Sequence, residues 1–264
     1  MGILNVTPDS FADGGLWTDP ARAVDAALQM EADGADLIDI GGESTRPGAE
    51  ALPFETELAR VMPVIEALAS RLRAPISVDT YKAEVASRAL AAGAAIVNDV
   101  SALRYDPALA SVVAQTGAAL VLMHNRGRSR QMYQEAHYSA VVDEVASELA
   151  ERVDAAVAAG VDRDRVIVDP GIGFAKQAAH SLELLARLPE LARLDRPLLV
   201  GPSRKSFLTV GLGARAPGDR EWGTAAVVAA AVMGGAHIVR VHAVKEMVDV
   251  VRTIDAMRDA GRAT

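Results

Sequence analysis

The chain is expected to be an α/β protein folded as a (β/α)8 barrel, and three observations point there. Short apolar runs that stop at a glycine or a polar residue recur eight times, each followed by a helical pattern, within 264 residues. That length and count suit eight strand–helix units closed on themselves. Half the residues are hydrophobic but only 4% are aromatic, so the core must be assembled from Ala, Val, Leu and Ile, as in parallel sheets covered on both faces. The competing architecture, a doubly wound open sheet, lacks the expected G-x-G-x-x-G after the first run.

The first strand is expected over residues 2–6, and a polar loop with Gly14-Gly15 follows over 7–19. Asp19-Pro20 is an N-cap with proline at the first helical position, opening a helix that stops near Gly34. The second strand, 37–40, runs into Gly41-Gly42-Glu43-Ser44-Thr45-Arg46-Pro47-Gly48. Leu58, Val61, Met62, Ile65, Leu68 and Leu72 then recur at helical spacing as one buried stripe. Strand three covers 75–79, and a helix over 82–92 is stopped by Gly93. Strand four covers 95–98, and a short helix near 106–115 ends at Gly117. Strand five covers 119–123; after a polar loop, Val141, Val145, Leu149 and Val153 mark a long helix to Gly160. Strand six covers 166–168, strand seven 198–200 and strand eight 237–241, with helices expected over 181–188, 221–233 and from Val244 onward. No linker-like break divides the alternation, so one barrel domain over 1–264 is expected.

The formal net charge is −8 with no basic run, which disfavours nucleic-acid or membrane-surface binding but leaves room for a local cationic cluster. There is no cysteine, which removes disulfides and thiolate metal sites. The first residues have neither a basic segment nor a long apolar run, so no signal peptide is expected and the location is read as cytoplasmic. The longest greasy stretch, 225–236, is too short to span a bilayer.

Barrel enzymes carry their chemistry at the C-terminal ends of the strands, and the polar residues sort that way. Asn5 ends strand one, Asp79 strand three, Asn98-Asp99 strand four and Asp169 strand six. His124 follows strand five, Ser203-Arg204-Lys205 strand seven, and Arg240 and His242 lie at strand eight. Asp79, Asn98 and Asp169 are acceptors suited to a ligand with ring N–H and amino groups. The alternatives are that Asp79 or Asp169 caps a helix and that Asn98 braces loops. Arg46, Lys205, Arg240 and His242 form a cationic rim for phosphate or diphosphate, unless Arg240 merely pairs with a neighbouring carboxylate. Arg204 is expected to point outward. His124 has no second histidine at ligand spacing, so zinc is disfavoured. Mg²⁺ suits a diphosphate substrate, with Asn5 as the protein oxygen.

Seven segments together resemble the dihydropteroate synthase family, the pterin-binding barrels of folate biosynthesis. They are Asn5-Val6-Thr7-Pro8-Asp9-Ser10-Phe11 with Asp13-Gly14-Gly15, Gly41 to Gly48, Ile76-Ser77-Val78-Asp79-Thr80, Val97-Asn98-Asp99-Val100, Asp169-Pro170-Gly171-Ile172-Gly173-Phe174, Ser203-Arg204-Lys205-Ser206-Phe207, and Val239-Arg240-Val241-His242. The resemblance implies condensation of 6-hydroxymethyl-7,8-dihydropterin diphosphate with p-aminobenzoate, giving 7,8-dihydropteroate and diphosphate. It implies that Asp79, Asn98, Asp169 and Lys205 hold the pterin. Asn5, Arg46, Arg240 and His242 would hold the diphosphate, with Mg²⁺ at Asn5. Phe11, Thr45, Pro47, Phe174 and Ser203 would line the p-aminobenzoate side, and Asp13 would favour a methylene cation as two loops close. It also implies a homodimer and residues ahead of the first strand. Two departures stand out: Asn125 where the family has methionine, and Ala175 where it has glycine, both expected to be peripheral. A pterin-binding methyltransferase barrel is the nearest enzyme rival, and Arg46, Lys205, Arg240 and His242 speak against it. A silent pterin-binding paralogue is the rival of another class.

Overall fold

The computed structural model describes residues 1–7, 19–45, 48–127, 133–134 and 136–262. Six strands pair in parallel in sequence order, β1 (Gly2–Asn5), β2 (Ile38–Gly41), β3 (Ile76–Asp79), β4 (Ile96–Asp99), β5 (Ala119–Met123) and β6 (Val166–Asp169), and β7 (Leu199–Val200) pairs with β8 (Ile238–Val239). Parallel bridges Val168–Leu198 and Gly2–Val241 join the two sheets at both seams, so the strands close into a barrel.

Helices alternate with the strands: α1 (Pro20–Ala32), α2 (Phe54–Leu68), α3 (Ala83–Ala91), α4 (Leu109–Thr116), α5 (Val141–Ala158), α6 (Ala178–Ala186), α7 (Thr209–Leu212), α8 (Glu221–Met233) and α9 (Val244–Arg262). Asp19 caps α1 as expected, its carboxylate accepting from the Ala21 N–H at 3.0 Å. Gly117 closes α4 at φ +68°, the left-handed conformation that glycine adopts without a Cβ penalty. The stripe on α2 is rotated from the expected one: Val61, Val64, Ile65 and Leu68 are buried, joined by Glu57. Strands seven and eight are shorter than expected, because pairing beyond Val239 is reduced to the single bridge at Val241. Short α7 is an element the pattern of apolar residues did not show.

Strand parity assigns each side chain to a face. Ile38, Ile40, Val78, Val97, Leu120, Leu122, Val166, Val168 and Val200 face outward and join the core beneath the helices. Met1, Ile96, Val121 and Leu199 form a separate apolar plug inside the barrel. Two residues further along, the inward positions become Asp79 after Ser77, Asn98 after Ile96, Asp169 after Ile167 and Arg240 after Ile238. An apolar floor with a polar mouth follows from the two-residue period alone.

Candidate active site

Asn5, Gly41, Asp79 and Asn98 are register partners across β1 to β4, a single row at the mouth. Gly41 leaves a notch in it; a Cβ there would stand 3.4 Å from Asp79 Cβ. Below the row lies Asp39, fully buried in β2, whose Oδ2 accepts from Asn98 Nδ2 at 3.0 Å and from Arg240 Nε. Arg240 Nη2 also donates to Asp79 Oδ2 at 2.7 Å. The pairing alternative is therefore what Arg240 does in this structure, and Asn98 braces a carboxylate rather than a loop. Asp79 caps no helix: α3 has Lys82 at its N-cap position with no side-chain cap. Burial pushes the Asp79 carboxyl up, with Arg240 opposing and Asp39 adding to the rise. Asp39 Oδ1 and Ser77 Oγ have no hydrogen-bond partner among the described residues.

Across the mouth, Asp169 faces inward while its Oδ1 accepts from the Gly171 N–H at 2.7 Å, so this carboxylate does fasten its own turn. Burial raises its pKa, and Lys205 is the main group pulling it back. Lys205 Nζ donates to the Ile172 carbonyl and lies 4.3 Å from the centroid of the Phe174 ring. Burial brings the Lys205 ammonium down to about 8, with Asp169 opposing. An amine so poised can donate to a ligand at modest electrostatic cost. Arg204 sits at φ +59° and turns away to pair with Glu221, as expected for an outward residue.

Ser203 Oγ lies 2.8 Å from His242 Nδ1 and accepts from the His242 N–H at 3.2 Å. The serine expected to line the second-substrate side thus also fixes the imidazole at the end of β8. Thr45 is half-buried at the far rim. Phe11, Asp13, Arg46 and Pro47, and with them most of the loop expected to follow β1, lie outside the described residues. What is described of the loop after β2 hangs on one carboxylate. Glu43 accepts from the Leu52 N–H at 3.2 Å and the Tyr81 hydroxyl at 3.0 Å, and pairs with Lys82, which also holds buried Glu57.

Strand-end reasoning missed Asp39 and Lys176. Asp39 had a signal: an acid between two isoleucines, with the same parity as Gly41 at the mouth. Lys176 had none beyond its place after a divergent residue, yet it is only 2% exposed. His124 is buried against it at 2.8 Å, and burial with Lys176 nearby lowers the imidazole to about 3. Ala175 is buried at φ +45°, in the left-handed region where glycine is at ease. Among the described residues, no cluster of three or more His, Cys, Asp or Glu could hold a metal. No helix among them is long and apolar enough to cross a membrane.

A closed barrel whose mouth sets Asp79 and Asn98 across from Asp169, a lysine and an aromatic ring suits an enzyme of the pterin-binding class, and comparison agrees. The family described as "Pterin binding enzyme" matches residues 1–242. Dihydropteroate synthase of Synechocystis sp. is 48% identical over 97% of this chain and 89% of its own length. The crystal structure of Yersinia pestis dihydropteroate synthase with a sulfonamide drug superposes with a TM-score of 0.94 at 43% identity, covering 98% of this chain and 94% of that one. The Xanthomonas albilineans enzyme with 4-aminobenzoic acid gives 0.91 at 47% identity, covering 98% and 92%. The chain belongs to the dihydropteroate synthases, transferases of folate biosynthesis.

Proposed function

We propose that the protein joins 6-hydroxymethyl-7,8-dihydropterin diphosphate to p-aminobenzoate, releasing diphosphate and 7,8-dihydropteroate. The observation carrying this is the inward row of Asp79 and Asn98 with Asp169 opposite, above an apolar floor. Buried acceptors at a dry mouth need a ligand rich in N–H donors, and a pterin ring is one. Similarity to a solved enzyme holding 7,8-dihydropteroate supports the same choice.

Arylamine nitrogen is already a competent nucleophile, so no strong base is required. The difficulty is cleaving the CH₂–O bond of the diphosphate. Arg46, Arg240 and His242 are the groups assigned to steady the departing charge. The electron-rich pterin would stabilise the methylene cation, Asp13 would favour it electrostatically, and loop closure would exclude water. Phe174 and Lys205, in contact with each other, would meet the ring of the arylamine, with Phe11, Thr45, Pro47 and Ser203 around it. Asn5 offers one neutral oxygen at the rim with no carboxylate cage among the described residues, a donor set that fits Mg²⁺, which keeps waters and takes phosphate oxygens. When bound there, the ion would add charge stabilisation to the leaving diphosphate. A homodimer through α8 and α9 belongs to the same proposal; Trp222, Met233 and Met257 are exposed on these helices, and sedimentation equilibrium tests it.

The deciding experiment mixes the protein with the pterin diphosphate, p-aminobenzoate and Mg²⁺. Dihydropteroate and diphosphate should appear in equal amounts. Tight pterin binding without product would show a silent paralogue and overturn the catalytic assignment.

A further inference from the structure

Residues 169–176 form a turn that regular secondary structure cannot hold. Gly171, Gly173 and Ala175 all have positive φ, at +66°, +78° and +45°. A Cβ on Gly171 would fall 1.9 Å from the His124 carbonyl oxygen, so the turn is pressed against the end of β5. Left-handed residues interrupt any helical or strand ladder, and its carbonyls need other donors. The Phe174 N–H takes the Gly171 carbonyl at 3.0 Å, and side chains take three of those that follow. Lys205 takes the Ile172 carbonyl, Lys176 Nζ the Phe174 carbonyl at 3.0 Å, and the Tyr138 hydroxyl the Ala175 carbonyl at 2.9 Å.

Lys176 is the central member of that set. Its Nζ also lies 2.8 Å from His124 Nδ1 and 3.4 Å from the His124 carbonyl. Burial pushes the Lys176 pKa well below the usual lysine range, with Asp169 opposing, and three acceptors stand around its nitrogen, two at β5's end and one on the turn. His124 Nε2 stands 3.2 Å from Glu148 Oε2, out of line for a hydrogen bond but close enough to favour a proton on that nitrogen. A proton there leaves Nδ1 as the acceptor for Lys176. A buried amine is expensive to keep, and one serving only packing would be replaceable by an apolar side chain.

We propose that Lys176 is a positioning residue for the second substrate: bridging the Phe174 carbonyl and the end of β5, it sets the Phe174 ring. This rests on the condensation proposed above. It acts through main-chain atoms and touches no reacting atom. Its loss should therefore disturb the arylamine side and spare the pterin, because Asp79 and Asn98 lie on other strands and Asp169 and Lys205 keep their own bonds to Gly171 and Ile172.

The test is Lys176→Met, which keeps length and removes the donors, assayed beside the unaltered chain. KM for p-aminobenzoate should rise about tenfold or more, as a displacement near 1 Å can cost that and beyond, while KM for the pterin diphosphate stays within about twofold. Tyr138→Phe deletes only the bond to Ala175 and should show the same split at smaller size; it decides the matter where Lys176→Met does not fold. Unchanged arylamine KM in a folded variant, or parallel rises in both KM values, overturns the proposal. Should the unaltered chain make no product, the functional assignment fails separately. A crystal structure of the Lys176 variant with Phe174 unmoved would then still defeat this inference.

Discussion

Two groups of buried charge face each other across the barrel and solve the same problem differently. On the β2–β4 side, Asp39 and Asp79 share one guanidinium, and Asp39 keeps an oxygen with no partner among the described residues. On the β5–β6 side, the Lys176 amine is ringed by three acceptors inside the protein. The first group is under-satisfied and opens to the mouth; in the second the amine is ringed by acceptors and hidden, and only His124 Nε2, 3.2 Å from Glu148, lacks an aligned partner among the described residues. At the mouth the spare acceptor is where a ligand could bond, while the ring of acceptors around Lys176 holds the site in shape.

The largest expected effect comes from removing the shared cation. Arg240→Met leaves two carboxylates buried together and should cost about 3–5 kcal/mol of stability; urea unfolding near neutral pH measures it. A loss below about 1 kcal/mol would mean that water already shields the acids and the contrast is false. Next is Asp79→Asn, which relieves repulsion with Asp39 while removing an acceptor assigned to the pterin. Turnover should drop about a hundredfold or more, in line with loss of a preorganised polar contact, with a thermal midpoint no lower than that of the unaltered protein. A midpoint that falls with activity would make Asp79 a structural acid.

The two groups should also oppose each other in pH dependence. Asp79 is raised by burial to about 7. Its native form binds protons the unfolded chain has released, so stability declines as pH climbs from about 4 to 7. His124 is lowered by burial to about 3; there the unfolded chain binds the extra proton, and stability declines as pH falls from about 6.5 to 3. The two windows overlap and their slopes offset each other, so each variant should unmask the other group: between about pH 4 and 6.5 stability should rise with pH in Asp79→Asn and fall with pH in His124→Asn. Slopes of the same sign in both variants would break the assignment.

Ala175→Gly is the finest adjustment. A left-handed non-glycine residue carries about 1–2 kcal/mol of strain, and losing one buried methyl forfeits about 0.8 kcal/mol. A net gain of up to about 1 kcal/mol should appear as a thermal midpoint a few degrees higher, by calorimetry. A lower midpoint would show that the methyl matters more than the backbone.

The barrel was legible because its period is redundant: strand, glycine stop and helix recur eight times, and an error in one unit does not hide the rest. The mouth was legible where polarity coincides with a strand's last residue, as at Asn5, Asp79, Asn98 and Asp169. Asp39 escaped because looking only at strand ends ignores the inward position two residues back. Lys176 escaped for a different reason. Its partners are carbonyl oxygens and a histidine 52 positions earlier, and main-chain acceptors leave no mark on side-chain pattern. The unlike fates of Asn125 and Ala175 make the same point. Asn125 is buried with an unpartnered Oδ1 among the described residues, a polar atom for which the structure supplies no evident purpose. At Ala175 the conformation explains at once why glycine is the easier residue.

Gly171 carries a consequence for how such an enzyme can change. With less than 2 Å between its would-be Cβ and a backbone oxygen of β5, that site accepts no other residue without rebuilding two strands' ends. Every route by which selection could retune the second substrate must bypass it, through the tips of the loops or the ring at Phe174. A saturation library over 169–176, grown under a demand for folate, should return Gly171 unchanged in every surviving clone.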